Sequence, residues 1–365
     1  MTHRTTFMHS CTNLFKVFNV GVSGLILGGG ISFFSNKYGW ACDNVASYEV
    51  VTASGVIINA TPGSYSDLYW ALRGGGNNFG VVTNFKLNTF PLGKMWGGAR
   101  LYANNSHAAV LDAIYKFATL TSSQDLDAAQ IISFLYTPGF GPLAIAFLDY
   151  GKPVANASVF NDFNAITHVS SNTDIYTQSE LTIMMGESGP DGPDGLRETY
   201  WDVTFKVDRD LFTFLVKTFY DLLPSIVDAS GLVPVISIQA ITEGQIAGMQ
   251  KNGGNALGLD PSNGPYFIMN LATMWANPAD DSRILRFNSE IISRVQVEAR
   301  AKGLDNAFIY QNYASQFQDV FASYGEKNQK RLVKIGERYD PEKVFQDLQP
   351  GYFKLAKGAP SSAVP

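Results

Sequence analysis

The stretch that decides the fold runs from Gly21 to Val51 and reads GVSGLILGGGISFFSNKYGWACDNVASYEVV. Five of its first ten residues are glycines, at positions 21, 24, 28, 29 and 30. Fixing a glycine costs more conformational entropy than fixing any other residue, so this concentration needs a physical cause. Either the chain makes tight turns here, or a planar or charged ligand approaches the backbone where a Cβ would collide with it. A glycine-rich run also leaves N–H groups free to point at a phosphate or a ring oxygen.

Two common nucleotide-binding loops are excluded by the spacing of these glycines. A dinucleotide fingerprint G-x-G-x-x-G that begins at Gly28 would need a third glycine where Phe33 stands. A phosphate-binding P-loop ends in Gly-Lys followed by Ser or Thr, and the stretch contains no such triplet. The observed pattern is G-x-x-G-x-x-x-G-G-G, followed by the pair Asp43-Asn44 and an apolar strand.

The composition predicts a packed globular protein with one large domain or two ordinary ones. The chain has 365 residues, of which 45% are hydrophobic and 16% charged, so we expect a sizeable core and no extended disorder. The net charge of −5 and the lack of a basic stripe argue against a nucleic-acid partner. The apolar run at 20–34 is about fifteen residues, shorter than the roughly twenty that span a membrane. Cys11 and Cys42 could pair, but neither they nor the four histidines form a cluster that predicts a metal site.

The periodicity of the chain predicts an α+β fold. Strands at 46–53, 56–60 and 80–90 surround a short helix that Ser66 or Asp67 can cap. From Gly93 to Asn306, helices alternate with β-rich runs, which indicates a mostly antiparallel sheet with helices packed on it. Further helices are predicted at 107–120, 210–223, 281–301 and 326–339, a polar loop at 186–195, and a short strand at 308–313.

Three blocks that lie far apart in the chain resemble one protein family. They are GVSGLILGGGISFFSNKYGWACDNV at 21–45, WALRGGGNNFGVVTNFKL at 70–87, and the segment at 310–355 that begins YQNYASQFQDVF. Together and in this order they resemble the FAD-linked oxidases of the vanillyl-alcohol oxidase superfamily, in the berberine-bridge-enzyme-like branch and most like its fungal members. The resemblance implies a PCMH-type FAD-binding domain formed by residues 1–92 and 307–365. A substrate domain, residues 93–306, would be inserted between them as an antiparallel sheet with helices.

The resemblance also implies that part of the FAD-binding domain is missing from the chain. In the family, a subdomain before the glycine stretch carries an R-S-G-G-H-type loop that binds the FAD pyrophosphate and often supplies a histidine bonded to the flavin. No such loop precedes Gly21, and His9 stands in no such context. Val17 occupies the position of a second flavin-bonding residue, a cysteine in some members. We therefore expect no covalent bond to FAD, and we expect the 365-residue chain alone to be poorly soluble and colourless.

The same resemblance assigns residues to the cofactor. Contacts to the flavin ring or ribityl chain are implied for Gly21, Ser23 and Gly24, and ring contacts for Asn312 and Tyr313. Contacts towards the ribityl–pyrophosphate and adenosine end are implied for Gly28, Gly29, Gly30, Asp43 and Val81. Asp43 fits a turn or capping pair with Asn44 equally well.

Two polar residues in apolar strands, Gln239 and Asn270, either form structural hydrogen bonds or line a substrate pocket. Tyr310 is the predicted catalytic base. On a strand, Tyr310 and Asn312 share one face and Tyr313 takes the other. A tyrosine has an ordinary pKa near 10, so a base role needs a depressed pKa. The alternative is that Tyr310 is a core aromatic residue.

These features predict an FAD-dependent oxidoreductase with a small-molecule substrate. A hydride would move from an alcohol or amine carbon of a small metabolite or sugar to flavin N5, and O2 would reoxidise the flavin. Two alternatives stay open, an inactive relic that no longer holds FAD and a non-redox ligand-binding or surface protein. Three N-x-Ser/Thr sequons, at Asn59, Asn104 and Asn156, matter only in a secreted protein, and the sequence does not predict the compartment.

Overall fold

The computed structural model describes residues 10–12, 20–188, 195–349, 351 and 353–364. These residues form an α+β fold in which all paired strands are antiparallel. The strands are β1 (Ser10–Thr12), β2 (Val45–Val51), β3 (Ile57–Ala60), β4 (Val81–Leu87), β5 (Thr89–Pro91), β6 (Met95–Ala103), β7 (Ala128–Thr137), β8 (Gly141–Tyr150), β9 (Ser170–Ser171), β10 (Asp174–Tyr176), β11 (Arg197–Lys206), β12 (Val233–Ile241), β13 (Tyr266–Trp275) and β14 (Asp305–Asn306). The α-helices are α1 (Val22–Leu27), α2 (Ser35–Tyr38), α3 (Ser66–Ala71), α4 (His107–Lys116), α5 (Asn161–Asn164), α6 (Gln178–Ser188), α7 (Arg209–Leu222), α8 (Glu243–Met249), α9 (Asp281–Ala301), α10 (Val320–Ser323) and α11 (Glu326–Tyr339).

A nine-stranded sheet dominates the middle of the chain. Its strands follow the order β10-β6-β8-β7-β12-β13-β11-β14, with β9 beside β6. Because side chains alternate along a strand, register neighbours such as Val203, Met269 and Ile238 point to one face. That face packs on α4, α7 and α9 and forms the larger hydrophobic core. The opposite face carries a polar row across adjacent strands, formed by Asp202, Asn270, Ser237 and Ser133.

A second core lies under a three-stranded sheet of order β3-β2-β4. It combines residues near the glycine stretch, such as Trp40, with Tyr310 and Leu332 from the last part of the chain. It also contains Leu257 and Ile268 from the middle of the chain. The C-terminal segment therefore packs against the glycine stretch, whereas the domain boundaries at 92 and 307 stay a prediction.

The structure corrects three predicted elements. Residues 308–313 are not a strand: residues 308–310 have no regular secondary structure, and a turn follows in which the Tyr313 N–H donates to the Tyr310 carbonyl (2.9 Å). The helix predicted at 107–120 is α-helical only to Lys116 and then widens into a π-turn over Phe117–Thr121. The loop predicted at 186–195 begins later, because α6 extends to Ser188, and its residues 189–194 lie outside the described chain.

Candidate functional site

The three consecutive glycines are closely packed against other protein atoms, and each of their N–H groups already donates a hydrogen bond within the protein. The Gly28 N–H donates to the Gly24 carbonyl, the Gly29 N–H to the Ile26 carbonyl, and the Gly30 N–H to the Tyr310 hydroxyl. A Cβ on any of the three would overlap protein atoms, and Gly29 and Gly30 have φ values of 125° and 89°, which favour glycine. The expectation that these N–H groups are free to bind a phosphate is therefore wrong. Tight packing is the cause of this part of the pattern.

Gly21 and Gly24 differ from that triplet because nothing occupies the space beside them. A Cβ on either residue would meet no heavy atom within 4 Å, and both residues are exposed together with Ser23. Gly21 is the N-cap residue of α1 and Gly24 lies in its first turn, which no side chain caps. The first N–H groups of a helix have no partner within the helix, so this surface offers backbone donors to an external group.

Tyr310 lies at the centre of the contact between the glycine stretch and the C-terminal segment. Its hydroxyl oxygen accepts N–H groups from Gly30 (3.0 Å), Ile31 (3.3 Å) and the Asn312 side chain (2.8 Å). Its ring is 1% exposed and packs edge-on against Trp40. Burial, and then the neighbouring Tyr313, raise the pKa of Tyr310 well above its ordinary value, although the three donors oppose the shift. The depressed pKa that a base role requires is not found here.

Asn312 and Tyr313 extend this contact in two directions. The Asn312 amide also donates to the Leu25 carbonyl in α1 (3.1 Å), so it ties the turn to the exposed helix. The Tyr313 hydroxyl accepts a hydrogen bond from the Gln239 amide (2.8 Å) on the polar face of the large sheet. Unlike Tyr310, Tyr313 is only partly buried. The structure thus brings together Gln239 and the Tyr-x-Asn-Tyr motif, which the sequence placed more than seventy residues apart.

Asp202 belongs to this site and was missed by the sequence reasoning. Its side chain is fully buried, and one carboxyl oxygen accepts the Tyr310 N–H (2.8 Å). Among the described residues, its other oxygen has no hydrogen-bond partner, and neither has the amide nitrogen of Asn270, which lies directly opposite on the neighbouring strand. An acidic residue within the apolar run TYWDVTF was the signal that could have found it.

The contacts of Asp43 and the exposed position of Val81 place both residues apart from the Tyr-x-Asn-Tyr turn. The Asp43 carboxylate accepts the N–H of Trp40 (2.9 Å) and the amide of Asn255 (2.9 Å), and it lies 4.0 Å from the Arg73 guanidinium. These are the contacts of a buried capping residue; a role towards a cofactor stays a prediction. Val81, in contrast, is 49% exposed at the start of the edge strand β4.

A flavin fits the residues that the structure places at this surface. The open space beside Gly21 and Gly24 admits a planar ring that a larger residue would exclude. The uncapped first turn of α1 supplies N–H groups for ring oxygens or nitrogens. Asn312 bonds the Leu25 carbonyl in the same helix, and Tyr313 follows it in the turn. His9 and Val17, on which the expectation of non-covalent binding rests, lie outside the described residues. Cys42 is a free, buried thiol.

Comparisons with known proteins agree with this fit. The family profile described as "FAD binding domain" matches residues 13–61. The FAD-dependent monooxygenase tpcD of Cochliobolus heterostrophus is 34% identical over 351 residues, which cover 93% of this chain and 67% of that protein. The FAD-dependent monooxygenase drtC of Aspergillus calidoustus is 32% identical, over 93% of this chain and 64% of that protein. The chain therefore spans about two thirds of the length of these relatives.

Solved structures share the fold. The 6-hydroxy-D-nicotine oxidase of Arthrobacter nicotinovorans superposes with a TM-score of 0.73 at 21% identity, over 92% of this chain and 72% of that one. The berberine bridge enzyme of Eschscholzia californica gives 0.68 at 17% identity, over 92% and 71%. The matched FAD-binding profile and the sequence relatives show that the chain is an FAD-linked oxidoreductase. The chain belongs to the family of these fungal FAD-dependent monooxygenases, and it shares its fold with the berberine bridge enzyme.

The hydroxyl of Tyr310 is expected to stabilise the fold. Replacement by phenylalanine leaves the N–H groups of Gly30 and Ile31 without their acceptor, and an unsatisfied buried donor costs about 1–3 kcal/mol. Tyr310→Phe should therefore lower the free energy of unfolding by about that amount, measured by urea denaturation. Tyr65→Phe is the matched control, because Tyr65 is exposed and should change stability by less than about 0.5 kcal/mol. Equal stabilities of the two variants would contradict this role.

Proposed function

We propose that this protein is an FAD-dependent oxidase of small molecules. The observation that carries the proposal is the convergence of the exposed helix α1, the Tyr-x-Asn-Tyr turn and Gln239 at the polar face of the large sheet. Bound FAD would supply the oxidant, accepting a hydride at N5 from an alcohol or amine carbon of the substrate and passing the electrons to O2. The chain's own residues would position the substrate and remove its proton.

Each residue at the surface has a distinct part in this proposal. Gly21, Ser23 and Gly24 would hold the ring by backbone contacts, and Asn312 would fix α1 beside it through the Leu25 carbonyl. The polar face of the sheet, with Gln239 and Asn270, would contact the polar groups of the substrate. A membrane is not part of the proposal, and no helix within the described ranges is both long enough and apolar enough to cross one.

For the proton, the geometry favours Tyr313 over the Tyr310 that the sequence pointed to. The Tyr310 oxygen is enclosed by three N–H donors, so a substrate could reach it only if the turn opened. Among the described residues, the Tyr313 oxygen accepts a hydrogen bond from the Gln239 amide, and Tyr313 as a whole is only partly buried. Burial raises the pKa of the Tyr313 hydroxyl, although the Gln239 N–H opposes this shift because it favours the ionised form. Turnover should accordingly increase with pH, because the ionised hydroxyl is the form that accepts a proton.

The proposal is tested by blocking the open space beside α1. A Cβ at Gly24 would meet no protein atom within 4 Å, so Gly24→Leu should fold normally while its side chain occupies the position of the ring. FAD is added in increments to wild type and variant, and binding is followed by quenching of flavin fluorescence. We expect affinity to fall at least about tenfold, which corresponds to 1.4 kcal/mol.

Gly63→Leu is the matched control, because Gly63 is also exposed with open space beside it but lies in the turn after β3. It should leave the affinity for FAD unchanged. Titration is preferred to gel filtration, since weakly held FAD would be lost on a column. If wild type shows no binding, or if Gly24→Leu binds FAD as tightly as wild type, the proposed site is wrong.

A further inference from the structure

The carboxyl of Asp202 makes a contact that an uncharged residue could make equally well. One oxygen accepts the Tyr310 N–H at 2.8 Å, and the amide oxygen of an asparagine would do the same. The main chain of Asp202 is already held, because its N–H and carbonyl both bond the Gln318 side chain (3.2 and 2.7 Å). Holding the strand therefore does not require an acid. The acidic group needs a second explanation.

The surroundings of Asp202 supply no cation. Within the described chain, the titratable groups that interact with its carboxyl are tyrosines, namely Tyr310 through its N–H, Tyr313 and Tyr324. On the neighbouring strand, Asn270 stands opposite with its amide nitrogen unpartnered. Thr204, two residues further along on the same face, also has an unpartnered hydroxyl. Three adjacent buried side chains that each have a polar atom without a hydrogen-bond partner are unusual, since most buried polar atoms in proteins are satisfied.

We propose that Asp202 is a positioning residue, which holds the Tyr310–Tyr313 turn through the Tyr310 N–H and controls the ionisation of the Tyr313 hydroxyl through its own charge. Holding the turn and controlling the ionisation of Tyr313 are both effects in the protein without FAD. The proposal therefore rests on the proposed function only where it concerns catalysis. A neutral carboxyl at this position leaves Tyr313 free to ionise. A carboxylate opposes a second negative charge nearby, because like charges in a low-dielectric interior repel.

The pKa values of the two groups agree with this geometry. Burial without a cation raises the pKa of Asp202 well above its ordinary range, although the Tyr310 N–H opposes the shift. For Tyr313, burial raises the pKa, the Gln239 amide lowers it, and the charge on Asp202 raises it again. The ring of Tyr310 packs edge-on against Tyr313 at 4.8 Å between centroids, so the two tyrosines of the turn are in direct contact.

The test places 3-fluorotyrosine at position 313 and follows its ionisation by fluorine NMR as the pH is raised, without FAD. Asp202→Asn keeps the acceptor for the Tyr310 N–H and removes the charge. We expect the ionisation midpoint at position 313 to fall by at least about half a pH unit relative to wild type. Thr204→Val is the control, because it removes an unpartnered hydroxyl from the same face and leaves the Asp202 carboxyl and its bond to the Tyr310 N–H in place.

A second variant separates the two parts of the proposal. Asp202→Leu removes the acceptor as well, so the fluorine signal at neutral pH should shift or broaden, while Asp202→Asn should keep the wild-type signal there. Equal midpoints in wild type and Asp202→Asn would overturn the control of ionisation. An unchanged neutral-pH signal in Asp202→Leu would overturn the positioning role. An Asp202→Asn protein that does not fold would also overturn the proposal, because asparagine supplies the same acceptor.

Discussion

Tyr313→Phe is expected to slow reduction of bound FAD by about 10²–10⁴-fold, the usual contribution of a positioned proton acceptor. The variant loses the hydroxyl that Gln239 holds at 2.8 Å, while the ring and its packing on Tyr310 remain. The measurement is stopped-flow bleaching of the flavin absorbance in the absence of O2, with an alcohol or amine that reduces the wild-type protein. Affinity for FAD should change by less than about threefold, since less than 1 kcal/mol of binding is removed.

Tyr310→Phe is the control for this measurement, because its hydroxyl is enclosed by main-chain and amide donors rather than presented to a ligand. Its effect should appear mainly in stability, as described above. The assignment would be contradicted if Tyr310→Phe abolished flavin reduction at unchanged stability while Tyr313→Phe reduced FAD normally. Such a result would restore Tyr310 as the base.

Arg73→Met is expected to destabilise the fold by about 3–5 kcal/mol, the cost of removing one partner from a buried ion pair. The side chains of Arg73 and Asp43 are both fully buried, 4.0 Å apart. The guanidinium also donates to the carbonyls of Lys251, Asn252 and Gly254, and it lies over the ring of Tyr69. The variant would leave a buried carboxylate without a cation and three carbonyls without their donor.

Urea denaturation at neutral pH measures this effect against a surface control. Arg294→Met removes an exposed pair with Glu290 one helical turn away and should cost less than about 0.5 kcal/mol. Adding Asp43→Asn to Arg73→Met should recover part of the loss, since the uncompensated charge is removed. If Arg73→Met is no more destabilising than Arg294→Met, the buried pair does not stabilise the fold.

Asp43 should also make stability depend on pH in a defined direction. Burial raises the pKa of Asp43 to about 6, although Asn255, the Trp40 N–H and Arg73 oppose the shift. A carboxyl whose pKa is higher in the folded than in the unfolded state stabilises the fold below the unfolded value, near 4. That stability is lost as the pH rises towards 6, by up to about 3 kcal/mol relative to Asp43→Asn. Parallel stability curves for wild type and Asp43→Asn between pH 4 and 7 would contradict the shift.

The sequence by itself determined the family, the α+β class and the elements whose patterns are local. Helix α9 occupies the predicted range 281–301, and α11 the predicted range 326–339, because apolar spacing and the residues that end a helix are close in sequence. The glycine triplet was recognised as a position where no Cβ fits. The sequence did not decide whether protein or ligand atoms exclude the Cβ, because a glycine is compatible with either.

The tertiary structure alone decided the arrangement of the site. The hydrogen bond from Gly30 to Tyr310 spans 280 residues, and no local pattern encodes such a partner. The Tyr-x-Asn-Tyr motif alternates like a strand but forms a turn, because its backbone groups bond Asp202 and each other instead of a neighbouring strand. Asp202 and Arg73 acquired their environments through burial, which depends on residues far away in the chain. The raised pKa of Asp202 is therefore a property of the packed fold, and the sequence could indicate the position only as an acid set among apolar residues.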